Sequence, residues 1–350
     1  MDRREVVGDG GPRPTLQRET RDGRRETGKA KAHTALASPV SRLSSFVILA
    51  VLALGAIDAS AKHVYSYTDA NGVVHYTDQK PADDVSGVKS SLVHTDHQPL
   101  IRLREDGTDA DRTMTFVNSA GGPVTVDLAF ENARNVQSQP ALPARIVLPG
   151  MSETRALHIG PVDPNASFQY QMRYSSMPGD FHAQQDANVR YHLPFPAREK
   201  FGVAQAFGGK ASHTDTQNYY AVDIVMPEGT PVLAARDGVV MTVDNDFYGA
   251  GLDMAQYGDR ANNIRIVHSD GTMAVYAHLE LESAKVAVGD HVRAGQELAL
   301  SGDTGYTTGP HLHFCVQVNT DMRLVSVPFQ FTTEAGGDFV PAAGSFIGGH

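Results

Sequence analysis

Two histidines one residue apart, His311 and His313, lie in Gly309-Pro310-His311-Leu312-His313-Phe314, a run that reads as a β-strand. Residues two apart on a strand project to the same face, so both imidazoles aim at one point. Such a pair suits a shared metal ion or a metal-bound water. Asp223 interrupts the β-rich run Tyr219-Tyr220-Ala221-Val222-Asp223-Ile224-Val225. A buried carboxylate there needs a partner, and a metal is one; a turn contact at a strand end is the plainer alternative. His213 sits ten residues earlier in a polar loop, within reach of the same ion. His278 follows the strand-like Ala274-Val275-Tyr276-Ala277. A hydrolytic Zn²⁺ site takes three ligands from His and Asp/Glu and leaves a fourth position to water. It also needs a base or electrostatic partner for the water proton and the developing oxyanion. Together these five residues offer three ligands and two helpers.

The elements that must hold them are short strand-like runs separated by Gly, Pro, Asn and Asp, with no long helical period, so the reading is a mostly β protein in several pieces. Residues 62–88 read as a small hairpin module, with aromatic-rich strands flanking Asn71-Gly72, a strong two-residue turn signal. Residues 89–190 read as a β-sandwich of immunoglobulin-like type. There Val124, Val126, Leu128 and Phe130 alternate with smaller or polar residues, as do Phe168, Tyr170, Met172 and Tyr174. His158 and His182 stand alone in that stretch and read as surface or packing residues. Residues 191–332 carry the chemistry. The Gly/Ala-rich remainder, 333–350, reads as a flexible tail.

Composition narrows the class. The chain has 350 residues, 41% hydrophobic and 20% charged, with a formal charge of −10, which argues against nucleic-acid binding. The lone Cys315 excludes an internal disulfide and a Cys-rich zinc module. Phe46–Ile57 is an apolar run after Arg42 and before Ala59-Ser60-Ala61, the pattern of a cleaved export signal. Residues 1–61 therefore read as leader and signal, and the run is too short for a stable membrane span. A cut after Ala61 leaves 20 Lys/Arg against 33 Asp/Glu. This acidic exported protein fits the periplasm or cell envelope of a Gram-negative bacterium.

Several segments carry a family resemblance. They are Gly229-Thr230-Pro231-Val232, Asp237-Gly238-Val239-Val240, His268-Ser269-Asp270-Gly271, Tyr276-Ala277-His278-Leu279 and Val288-Gly289-Asp290-His291-Val292. With Ser301-Gly302-Asp303-Thr304-Gly305 and Thr308-Gly309-Pro310-His311-Leu312-His313-Phe314, they resemble the lysostaphin/LytM-type zinc metallopeptidases over roughly residues 200–320. Val64–Asp78 likewise resembles a small domain of unknown function found after the signal peptide in envelope proteins. The metallopeptidase resemblance implies an antiparallel β-sheet core, a Zn²⁺ cofactor, and hydrolysis of peptidoglycan stem-peptide links, in this compartment the D,D-crosslink. It implies zinc ligands Asp223, His313 and an upstream histidine, with His278 and His311 as the catalytic pair. The family's usual first histidine stands four residues before the aspartate; here that residue is Tyr219, so His213 must serve from a longer loop. Cys315 stands where the family has Glu, on the face of His311 and His313; it reads as a small buried residue, with a rival thiolate ligand as the alternative. His268 and His291 read as scaffold.

Two other readings compete. Some relatives of that family have lost ligands and act as inactive peptidoglycan-binding regulators of cell-wall amidases, so an amidase or division-complex partner is one expectation. The Gly/Val framework also resembles biotinyl and lipoyl carrier domains, but no lysine lies beyond Lys285 to be modified.

Overall fold

The computed structural model describes residues 62–68, 74–77, 81, 87–93, 99–108, 111–258, 260–333 and 337–349. The signal segment and the Asn71-Gly72 turn lie outside the described residues. Strands β1 (Lys62–Thr68) and β2 (Val74–Thr77) pair antiparallel, and β3 (Lys89–Val93) joins the other edge of β1. The expected boundary at 88 is thus corrected: β3 belongs with the hairpin, since two strands alone are marginal in water.

The sandwich comprises β4 (Ile101–Thr108), β5 (Asp111–Asn118), β6 (Val124–Arg134), β7 (Val136–Gln139), β8 (Ala144–Leu148), β9 (Ser152–Pro161) and β10 (Gln169–Pro178). They form two sheets, β4-β5-β9-β7 and β10-β6-β8. Alternation works as the sequence implies: Phe116, Val126, Leu128, Leu148 and Leu157 are buried between them. In the second sheet β6 lies between β10 and β8.

The remaining elements are β11 (Tyr191–His192), β12 (Lys200–Gln205), β13 (Val222–Val225), β14 (Pro231–Leu233), β15 (Gly238–Asp244), β16 (Ala250–Gly251), α1 (Met254–Tyr257), β17 (Asn263–Val267) and β18 (Met273–Ala277). After them come β19 (His291–Val292), β20 (Glu297–Leu300), β21 (Gly305–Tyr306), β22 (Leu312–Asn319), β23 (Leu324–Ser326), β24 (Phe331–Thr332), β25 (Asp338–Phe339) and β26 (Phe346–Gly348). Their main sheet is antiparallel, in the order β19-β15-β17-β18-β22-β13-β12-β26, with β23 also on β22. One face buries Val222, Ile224, Ile264, Ile266, Ala274, Tyr276, Leu312, Phe314 and Val316 in the larger core. The period of two sends Asp223, Arg265, Val275, Ala277, His313, Cys315 and Gln317 to the opposite face. No helix among the described residues is long and apolar enough to cross a membrane.

The flexible tail expected over 333–350 is corrected for its described part. β25 pairs with β24, and β26 extends the main sheet by pairing with β12. Ile347 is buried in the larger core. Gly and Ala around Phe346-Ile347 mask a two-residue apolar signal too short to read as a strand.

The sandwich and the sheet domain also share a core. Met241, Val267 and Met273 of the sheet pack with Val124, Val126 and Leu148 of the sandwich. Gly121 donates to the Met241 carbonyl at 2.9 Å. A Cβ at Gly121 would lie 2.0 Å from the Val240 carbonyl oxygen and 2.7 Å from the Gly289 nitrogen. Gly121→Ala is therefore expected to cost about 1–3 kcal/mol by overpacking. Thermal unfolding followed by circular dichroism should fall by several degrees; an unchanged midpoint would contradict this contact.

Candidate active site

The β13–β22 register places Asp223 directly opposite His313. His213 arrives from the loop between β12 and β13, fully buried. Its Nε2 lies 3.2 Å from Asp223 Oδ1, and His313 Nδ1 lies 2.9 Å from the same oxygen. One ligand atom from each of the three residues falls within 4.8 Å of the others. Burial alone would raise the Asp223 carboxyl, but hydrogen bonds from His213 and His313 hold it well below the usual range. Burial pulls the His213 imidazole down, yet the Asp223 carboxylate outweighs it and the net shift is upward.

These donors fit a divalent metal. His213 Nδ1 faces the Ala206 carbonyl oxygen at 3.0 Å while Nε2 faces the carboxylate. A neutral imidazole has one N–H, so a second proton or a metal ion must lie between Nε2 and Asp223. Two imidazoles and one carboxylate are also a known donor set of hydrolytic zinc. The supporting shell is in place: Gln205 Nε2 donates to Asp223 Oδ2 at 2.7 Å, and Gln205 Oε1 accepts from Ala211 and Ser212 of the His213 loop.

His278 and His311 stand beside this cluster with ring centroids 4.4 Å apart. His278 Nδ1 donates to the Thr304 carbonyl at 2.7 Å, and His311 Nδ1 to the Gly309 carbonyl at 2.8 Å. Since a carbonyl only accepts, each ring donates from Nδ1, which leaves Nε2 as the acceptor of a neutral ring. His311 Nε2 lies 3.8 Å from Asp223 Oδ1. Burial, with the neighbouring His311 and His313, pushes the His278 imidazole down to about 3. Its backbone is left-handed at φ 65°, a conformation a non-glycine residue keeps only where its surroundings hold it. They do: Gly302 donates to the His278 carbonyl, and Leu279 donates to Asn262. Asn262 is fully buried, and its backbone N–H donates to the Thr304 hydroxyl oxygen at 3.2 Å.

All five residues singled out in the sequence thus lie together. Gln205, Asn262 and Thr304 escaped notice as supports; only Thr304, inside a quoted Ser-Gly-Asp-Thr-Gly segment, left a signal. Tyr219 is half exposed in the loop and His213 occupies the cluster instead. Cys315 is buried, with its thiol 3.5 Å from the Gln217 carbonyl. Burial pushes that thiol up to about 12, so it stays protonated and apolar in character. His268 is buried scaffold, its Nδ1 2.8 Å from the Asp237 carbonyl, and His291 is exposed.

Residues 217–323 match Peptidase family M23, and residues 51–94 match a domain of unknown function, DUF4124. The glycyl-glycine endopeptidase ALE-1 of Staphylococcus capitis is 38% identical over 120 residues, 34% of this chain and 30% of the relative. The peptidoglycan DD-endopeptidase ShyA of Vibrio cholerae is 33% identical over 132 residues, 37% of this chain and 28% of the relative. Among solved structures, the catalytic domain of lysostaphin from Staphylococcus simulans is 34% identical with a TM-score of 0.26, covering 35% of this chain and 82% of that one. The chain spans less than a third of the length of the curated relatives just named. With Asp223, His278, His311 and His313 inside the matched stretch, residues 217–323 are a peptidase family M23 domain of the lysostaphin/LytM type.

Proposed function

We propose that this chain is a zinc-dependent endopeptidase that hydrolyses peptide cross-links of peptidoglycan, the D,D-links of a Gram-negative envelope. The observation that carries this reading is the convergence of His213, Asp223 and His313 beside the His278–His311 pair. His213, Asp223 and His313 are the ligands. Zn²⁺, when bound, supplies Lewis-acid polarisation and a water made acidic toward about pKa 7. His278 and His311 present Nε2 toward that pocket: one takes the water proton, and the other, once protonated, donates a hydrogen bond to the tetrahedral oxyanion. The backbone carbonyls of Thr304 and Gly309 hold both rings in that orientation. The relatives' printed activities, a DD-endopeptidase and a glycyl-glycine endopeptidase, support peptide-bond hydrolysis in cell walls as the reaction class.

The competing reading, an inactive regulator of amidases, would tolerate lost ligands; a complete donor set with its Gln205 support favours the enzyme. Purified sacculi incubated with the zinc-loaded full chain are expected to lose cross-linked dimers and gain monomeric stem peptides, and a chelator should stop this. Dimers left intact by the folded, zinc-loaded protein would reject the peptidase.

A further inference from the structure

The strand register lays out in rows the face of the main sheet opposite the larger core. Asn263, Ala277 and His313 form one row across β17, β18 and β22. Arg265, Val275 and Cys315 form the next, and Val267, Met273 and Gln317 the one after. The first row adjoins the metal cluster. The third adjoins the sandwich: Met273 and Val267 lie in its core, and Asn319 Nδ2, further along β22, donates to the Gly179 carbonyl at 3.2 Å. The middle row thus lies between the candidate site and the sandwich, and of its three residues only Arg265 is not buried. Cys315 and Gln317 are covered by the His213 loop, whose Gln217 carbonyl accepts from Gln317 Nε2 at 3.0 Å. Arg265 remains half-buried.

Arg265 has no carboxylate in ion-pair contact among the described residues. Its Nη1 donates to Gln317 Oε1 at 2.8 Å. Asp244, held by Asn263 Nδ2 at 2.9 Å, contributes only attraction at longer range. Burial pushes the guanidinium down to about 10, still charged at neutral pH. Two other half-buried arginines are neutralised: Arg236 pairs with Asp270 at 3.0 Å, and Arg145 with Asp127 at 2.6 Å. A half-buried charge left uncompensated costs stability. Its fork is held on one side by Gln317 and has donors to spare, the geometry that takes a carboxylate through two N–H bonds.

We propose that Arg265 is a substrate subsite that binds a free carboxylate of the peptide being cut. This rests on the peptidase reading above and adds the charge of the substrate to it. From strand spacing and rise, the Arg265 and His313 Cα atoms are about 12 Å apart, a span of roughly three to four extended peptide residues. The carboxylate therefore lies a few residues from the scissile bond, on the sandwich side. Arg265 touches no reacting atom; it orients the chain and raises affinity.

The test uses the zinc-loaded full chain and soluble cross-linked peptide dimers from sacculi, with carboxylates left free or converted to amides. Wild type should cleave the free form with at least about tenfold higher kcat/KM, through KM. Arg265→Gln should lose that preference with kcat within about twofold, and Arg265→Lys should keep part of it. Because the unpaired guanidinium is costly, Arg265→Gln should melt no lower than wild type without substrate. Equal cleavage of both dimers by wild type, or a preference that survives in Arg265→Gln, overturns the subsite and leaves the peptidase standing. If wild type cleaves neither dimer, the peptidase reading fails; calorimetric binding of the same dimers then decides the subsite. Free-carboxylate binding lost in Arg265→Gln upholds it, and equal binding by both proteins overturns it. Should Arg265→Gln not fold, Arg265→Lys carries the same comparison.

Discussion

His313→Ala is expected to lose zinc and lower turnover by more than about 10³-fold. His313 supplies a nitrogen 2.9 Å from Asp223 Oδ1 and stands opposite Asp223 in the sheet. Its removal takes the donor set from three protein ligands to two, below what a hydrolytic zinc site uses. It also strips a hydrogen bond from a carboxylate that is only 5% exposed, leaving burial less opposed. Metal analysis after dialysis, run beside a dimer-cleavage assay, reads both effects. Thermal unfolding gives an independent measure: zinc at about 100 times its Kd adds about 2.7 kcal/mol to a protein that binds it only when folded. Wild type should gain several degrees on zinc addition and His313→Ala should gain none. Zinc retained at one per chain in the variant would refute the ligand assignment.

His311→Ala should behave differently. His311 Nε2 lies 3.8 Å from Asp223 Oδ1, while the ring nitrogens of His213 and His313 lie at 3.2 and 2.9 Å. Zinc content and the zinc-induced melting shift should therefore stay at wild-type values. Turnover should fall about 10²–10⁴-fold, the range for losing a proton acceptor or an oxyanion donor. His278 and His311 lie with centroids 4.4 Å apart and act on one proton and one oxyanion, so their effects should not add. The His278→Ala/His311→Ala double variant should be little worse than the poorer single variant. Normal turnover in His311→Ala, or full additivity in the double variant, would remove His311 from the catalytic pair.

Much of this site was legible in the chain because it rests on local rules. His311 and His313 share a direction since strand side chains alternate, whatever the rest of the protein does. Asp223 stood out because a carboxylate among apolar neighbours needs a counterpart, and His278 because it ends an apolar strand. The mostly β class followed from short runs punctuated by Gly, Pro, Asn and Asp. Tertiary structure alone decided the rest. His213 lies before the matched stretch, and its arrival at Asp223 depends on the Gln205 and Ala206 contacts that fold its loop. The order of β6 within the sandwich, the capture of Ile347 by the larger core and the attachment of β3 to β1 reflect long-range pairing. Alternation could place Arg265 on the face of His313, but only the assembled sheet shows a guanidinium bonded to Gln317 and in no ion pair among the described residues. Side-chain direction is set by backbone sterics over two or three residues, and so it is written in the sequence. Which partners meet is set by the balance of contacts over the whole chain, and so it is settled only on folding.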